Sequence, residues 1–404
     1  MRTLFAPLLV LLVAVAPSAQ EWTEDTPMPT ARAGAASVVL DGRIYVMGGQ
    51  NTAGEPLAAV EVFEPGAGWA RLAPLRQARV DAAAAVLDGQ ILVLGGRAAD
   101  GEPTDSVEVY VAEENRWAPF EPLSTPREGL GAAVVEDTLF VIGGAGPRGD
   151  LLDTAEALHT TWTPFTPPWT LAPARARFGV LALDGALVTL GGFSTAGPLR
   201  EVVRFDLSDE TATQLEPLPF PRGGLAAATD GATLYVVGGR DADDQVRASV
   251  LALAPEAGEV WEPLSPLPLP IEAPVAAVLG DSLYVIGGSD GFGSVLAAVR
   301  VLPLAPPVGT DAEEIPAAGR DALVVVGPNP IREGTTFEVR SAAASGARLT
   351  VFDVLGREVA VLHDGPVPAG ALRVAWAARV PAGVYLARLD GPSGGAAVAV
   401  TVAR

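Results

Sequence analysis

The chain has 404 residues, a formal net charge of −21 and no cysteine, a length that gives room for about two to four domains. Without thiols there is no disulfide, thiolate nucleophile or cysteine-held zinc or iron–sulfur centre. With only His159 and His363 as imidazoles, neither a histidine metal site nor a Ser-His-Asp triad is expected. All 27 basic residues are arginine, and a surface this acidic is unsuited to nucleic acid, whose phosphates require a basic face.

In chain order, Met1-Arg2-Thr3, an apolar run over 4–15 and the stretch ending in Ala19-Gln20 read as a secretory signal peptide, residues 1–20. The apolar run is too short to span a bilayer. Cleavage is expected near Ala19 or Gln20, and no transmembrane segment is expected in the mature chain.

Six glycine doublets follow, at 48–49, 95–96, 143–144, 191–192, 238–239 and 287–288, spaced 47, 48, 48, 47 and 49 residues apart. Each closes a β-branched apolar run, and a period near fifty built from strands predicts a propeller. Residues 38–49 read as one strand, an Asp41-Gly42 turn of the kind two-residue hairpins prefer, and a second strand. Asp88-Gly89, Asp184-Gly185 and Asp230-Gly231 take the same place, with Glu136-Asp137 and Gly280-Asp281 as degenerate versions. A loop, a third strand such as 60–63 or 107–110, and a fourth carrying Trp69 or Trp117 complete a four-stranded blade.

The doublets, followed by Phe63 and Trp69 or Tyr110 and Trp117, resemble the kelch repeat family. The resemblance covers residues 21–303 and implies a six-bladed β-propeller, weakest in blade four, where Gln214 stands near the expected Trp. Trp22, Trp69, Trp117 and Trp261 each precede a doublet by 26 residues. Trp22 therefore belongs to a fourth strand with no first three ahead of it, while the last unit ends near Leu302 without a fourth. The segment Glu21-Trp22-Thr23 is expected to close the ring there, removing two sheet edges.

Sixteen residues before five of the doublets stand Arg32, Arg79, Arg127, Arg175 and Arg222, with Ile271 in the sixth unit. Propeller geometry sets the fourth-to-first connections and the post-doublet loops on one face, so these arginines are expected around one channel mouth. As guanidinium forks they suit an anionic ligand, such as an acidic sugar or acidic peptide. The alternative is architectural pairing with Glu61, Glu108 and Glu156, which recur twelve residues after their doublets. The loops Asp241-Ala242-Asp243-Asp244 and Ser289-Asp290-Gly291 carry oxygen ligands of the kind calcium takes but match no complete binding loop. Turn chemistry accounts for them as well; no metal and no cofactor is assigned.

Residues 304–327, just after Pro303, hold Pro306, Pro307 and Pro316 and an acidic run, 311–314, and read as a linker. Pro328-Asn329-Pro330, the segment 351–359, Ala369-Gly370, Trp376 and the segment 381–389 then follow. Residues 328–404 thereby resemble the C-terminal sorting domain of the bacterial type IX secretion system, although Ala377-Ala378 stand where the family carries a polar or glycine pair. Alternating apolar and polar residues between glycine and proline turns predict a small Ig-like β-sandwich of about seven strands. The resemblance implies export across the outer membrane by the type IX machinery and a secreted or cell-surface location.

The fold class expected is thus all-β, a six-bladed kelch-type propeller followed by a small Ig-like sandwich. The function expected is non-enzymatic binding of an extracellular glycan or protein. No catalytic residues are identified. The kelch resemblance leaves a sialic-acid-mutarotase-like carbohydrate enzyme as an alternative, because proton transfer at an anomeric centre can use Arg and Glu. Copper oxidases of the galactose oxidase type are excluded by the missing cysteine and histidines. A passive surface component is the third reading.

Overall fold

A computed structural model describes residues 21–158, 162–165, 171–255 and 260–304, and, further on, 322–325, 335–341, 345–353, 357–367, 370–377, 380–381, 383–391 and 394–402. The expected signal peptide and most of the expected linker lie outside these residues. The chain divides into two compact units, Met1–Ala305 and Pro306–Arg404.

The first unit is a ring of six four-stranded antiparallel sheets, five of them wound in chain order from the innermost strand outward and the sixth completed by a strand from the N-terminal end. Blade one consists of Ala36–Leu40, Arg43–Met47, Val60–Glu64 and Gly68–Arg71. The hairpin turn between the first two follows from its residues: Asp41 and Gly42 both take positive φ, 49° and 71°, as the two-residue turn that matches strand twist requires. Asp88-Gly89 and Asp184-Gly185 repeat it. Blade five departs, because its strands Ala226–Thr229 and Leu234–Val237 leave a wider loop. There Asp230 Oδ1 accepts the amides of Ala232 and Thr233.

The core lies between blades. Ala83, Ala85 and Leu87 of blade two pack with Leu139, Val141 and Leu158 of blade three, and Val275, Ala277 and Ile286 of blade six pack with Ile44, Val46 and Phe63 of blade one. Ring closure follows the sequence expectation, shifted outward by about two residues: Thr23–Asp25 pairs with the third strand of blade six, Thr23 opposite Val301 and Asp25 opposite Val299. Every tryptophan of the expected series then reaches backward. Trp69 Nε1 donates to Thr26 O, Trp117 to Ala73 O and Trp261 to Glu216 O, at 2.8–3.0 Å. Trp22 makes the same bond across the seam, to Ser265 O at 2.9 Å. Trp22→Ala should therefore cost about 2 kcal/mol, from lost burial and one lost hydrogen bond. Urea unfolding measures it, and a change below about 0.5 kcal/mol would mean that the seam is held elsewhere.

The second unit contains a three-stranded sheet of Ala322–Val325, Thr335–Ser341 and Gly370–Trp376, and a four-stranded sheet of Ser345–Asp353, Glu358–Val367, Gly383–Gly391 and Gly394–Val402. One core joins them, with Phe337, Leu349, Val351, Trp376, Tyr385 and Leu389 all buried. The strand Ala322–Val325 falls inside the stretch expected as linker and pairs with Thr335–Ser341. The folded C-terminal part thus begins before residue 328.

Candidate functional site

The arginine series does not ring an open mouth. Arg32, Arg79, Arg127, Arg175 and Arg222 are each no more than 1% exposed. In blades one to three each guanidinium is fully used: Nη1 donates to the carbonyl of the first doublet glycine, and Nη2 donates to Glu61, Glu108 or Glu156 at 2.6–2.7 Å. The architectural alternative is the one these distances favour. The glutamates are themselves anchored, Glu108 accepting the amides of Arg76 and Gln77, and Glu156 those of Ser124 and Thr125.

The arginine backbone ties in the previous blade. The carbonyls of Arg79, Arg127, Arg175, Arg222, Ile271 and Arg32 accept the amide of the second doublet glycine one blade earlier, at 2.8–2.9 Å. Ile271 keeps that bond without a guanidinium, so the sixth blade shows that the backbone link alone suffices. Burial is the main force pulling the arginines below their usual value, and the paired carboxylates oppose it.

Two residues beyond each of these positions lies a second ring. Gly34, Asp81, Gly129, Arg177, Gly224 and Ala273 all take left-handed φ between 48° and 62°. Each donates its amide to the carbonyl of the one before, at 2.7–2.9 Å, and Gly34 closes the circle onto Ala273. Glycine alternates with non-glycine around this ring. The left-handed conformation costs an L-residue about 1–2 kcal/mol, so the side chains at 81, 177 and 273 are kept against a local preference for glycine.

Two of those side chains meet. Arg177 Nη2 lies 2.7 Å from Asp81 Oδ2, with Asp81 nearly buried and the arginine side chain 48% exposed. Around them, Arg240 grips Glu272 with Nε and Nη2 at 2.7 and 2.6 Å, and Arg97 Nε lies 3.0 Å from Glu128. Asp81, and then Glu128 and Glu272, raise the Arg177 guanidinium above its usual value. Glu272 does the same for Arg240. The result is a cleft of about 210 Å³ on the loop face, lined by Asp81, Arg177, Glu272, Gln50, Asn51 and Phe193 among others. The charged side chains of its lining are each already paired, Arg177 with Asp81 and Glu272 with Arg240.

The loops considered for calcium use their carboxylates internally. Asp241 Oδ1 accepts from Asp243 and Gln245, and Asp290 Oδ1 from Phe292 and Ser294, which is turn chemistry. Among the described residues no cluster of three or more His, Cys, Asp or Glu is placed to hold a metal.

Comparison with known proteins agrees with this geometry. Residues 81–288 match the family model described as the KLHDC2/KLHL20/DRC7 Kelch-repeats domain, and residues 31–68 match the Kelch motif. Among solved structures, one titled "Structure of YjhT" superposes with a TM-score of 0.61 at 15% identity, over 70% of this chain and 97% of that one. No curated protein matches the chain.

Proposed function

The chain belongs to the kelch-repeat family of β-propellers, and from that premise we propose that it is a secreted, non-enzymatic binding protein that takes an extracellular glycan or protein on its loop face. The observation that carries this reading is the pairing at the mouth. Arg177, Arg240 and Arg97 are each held by a carboxylate, so no acid or base there stands free to move a proton. An ion-paired cleft suits recognition by hydrogen bonds, and planar amides and carboxylates beside Phe193 are groups that hold sugar hydroxyls and a sugar face. This favours binding over the mutarotase-like alternative.

The test follows from the strained ring. Arg177→Gly adopts the left-handed φ at no cost, as Gly34, Gly129 and Gly224 do. Its stability should stay within about 1 kcal/mol of the wild type, because strain relief offsets the lost exposed pair. Its binding in a glycan array should fall at least tenfold. Unchanged binding by a folded Arg177→Gly protein would remove the cleft from consideration. The partner would then be a protein held by the exposed loop tips, of which Phe292 is 90% accessible.

Residues 328–404 are read as the sorting domain that sends the protein through the type IX machinery. In support, Trp376 and Tyr385, two residues of the resemblance, form an edge-on ring pair at 6.0 Å within one core. Deleting 328–404 should leave the propeller folded and trapped in the periplasm of a type IX host. Its continued appearance outside the cell would refute the assignment.

A further inference from the structure

Blade five breaks the buried-pair pattern. The third-strand position that holds Glu61, Glu108 and Glu156 in blades one to three is Leu251 there, 29 residues beyond Arg222 as each glutamate is beyond its arginine. Arg222 is 1% exposed. Its Nη1 donates to Gly238 O and Ser249 Oγ, at 3.0 and 2.9 Å, but its Nε is buried without a hydrogen-bond partner. Blade four also lacks the glutamate, yet Arg175 satisfies itself on the carbonyls of Pro173 and Ala172, 3.1 and 3.4 Å away.

A second guanidinium stands beside Arg222. Arg247 pairs with Asp241 and lies 5.5 Å from the centroid of the Phe220 ring, and its Nε too is buried without a partner. Two arginines and one aspartate leave one positive charge uncompensated. Burial first, and Arg247 next, pull the Arg222 guanidinium down to about 10, with Asp241 opposing. Two unused buried donors on neighbouring cations are destabilising unless something accepts from them.

We propose that Arg222 and Arg247 form a binding site for a carboxylate supplied by a ligand. The chemistry is the repeat's own, since a carboxylate takes the Nη2 hydrogen bond in blades one to three, and a guanidinium fork matches its two oxygens. The carboxylate comes as a free organic acid or as a uronic acid within a glycan. The site lies on blade five and stands independently of the reading of the central cleft.

The experiment titrates the full-length protein by calorimetry with acetate, glucuronate, a polyuronate, neutral glucose and inorganic phosphate at constant ionic strength. Acetate and glucuronate are expected to bind, glucose not, and phosphate at least tenfold more weakly than glucuronate. A polyuronate gain over glucuronate points to a glycan source, and equal affinity per carboxylate to a free acid. Leu251→Glu rebuilds the internal pair, so it should weaken glucuronate binding at least tenfold and raise the melting temperature of the unliganded protein. Arg247→Ala, at a half-exposed side chain, provides the second variant and should weaken binding comparably. Arg177→Gly should leave this binding unchanged, which separates the site from the cleft. The proposal is overturned if no carboxylate binds the wild type, if phosphate binds as well as glucuronate, or if both variants bind glucuronate undiminished.

Discussion

Truncating Glu108 to Ala is expected to destabilise the propeller by about 3–5 kcal/mol, more than any surface change. The reason is what it leaves behind: Arg79 is fully buried, and its Nη2 donates to Glu108 at 2.6 Å. Removing one partner of a buried pair strands the other as an uncompensated charge, whereas replacing both by apolar groups is often neutral or stabilising. The amides of Arg76 and Gln77 lose their acceptor in the same step. The double variant Arg79→Met/Glu108→Leu should therefore recover the part of the loss that comes from the stranded charge, while those two amides still lack their acceptor. Blade six already carries Ile271 at the arginine position, fully buried, with its backbone bond to Gly239 intact. Urea unfolding of the single and double variants decides the matter. A single-variant loss under about 1 kcal/mol would show that water reaches Arg79 and that the pair is dispensable.

Gly95→Ala should cost about 3–4 kcal/mol, by a different cause. At φ +58° a Cβ on residue 95 would lie 2.6 Å from Arg127 O and 3.2 Å from Leu130 Cδ2. The first contact is with backbone that Gly96 holds by its amide, so it cannot yield without opening the joint between blades two and three. About 1–2 kcal/mol comes from the left-handed conformation and the rest from overlap. Gly89→Ala supplies the control, with φ +72° and nothing within 4 Å of the new Cβ. It should lose only the conformational part, near 1 kcal/mol. Equal losses at the two sites, in thermal or urea unfolding, would show that blade packing places no demand on the doublet.

The doublets mark the structure so clearly because they serve this joint. Each first glycine lies under the carbonyl of the next blade's Arg or Ile, and each second glycine donates to that carbonyl. A contact repeated at every blade interface leaves a periodic mark in the sequence. The closure by Thr23–Asp25 was legible for the same reason, since Trp22 keeps the repeat phase of Trp69 and Trp117.

The central ring was less legible. Gly34, Gly129 and Gly224 share one repeat phase, two residues beyond the arginine series, and that phase alone points to a left-handed position. Asp81 and Arg177 at the same phase are the anomaly that marks the cleft. What no repeat could reveal is that they touch, because they stand two blades apart and meet only once the ring has closed.

The local, repeated part of the fold was thus determined by the sequence itself: strand, turn, doublet and closing strand each follow from short-range sterics and a fixed period. The role of the arginines was decided by tertiary structure. A guanidinium at a loop end is equally consistent with an open anion site and a buried tie. Only the packing of the following blade's third strand, Glu in blades one to three and Leu251 in blade five, fixes which cations are spent within the fold and which retain donors for something else.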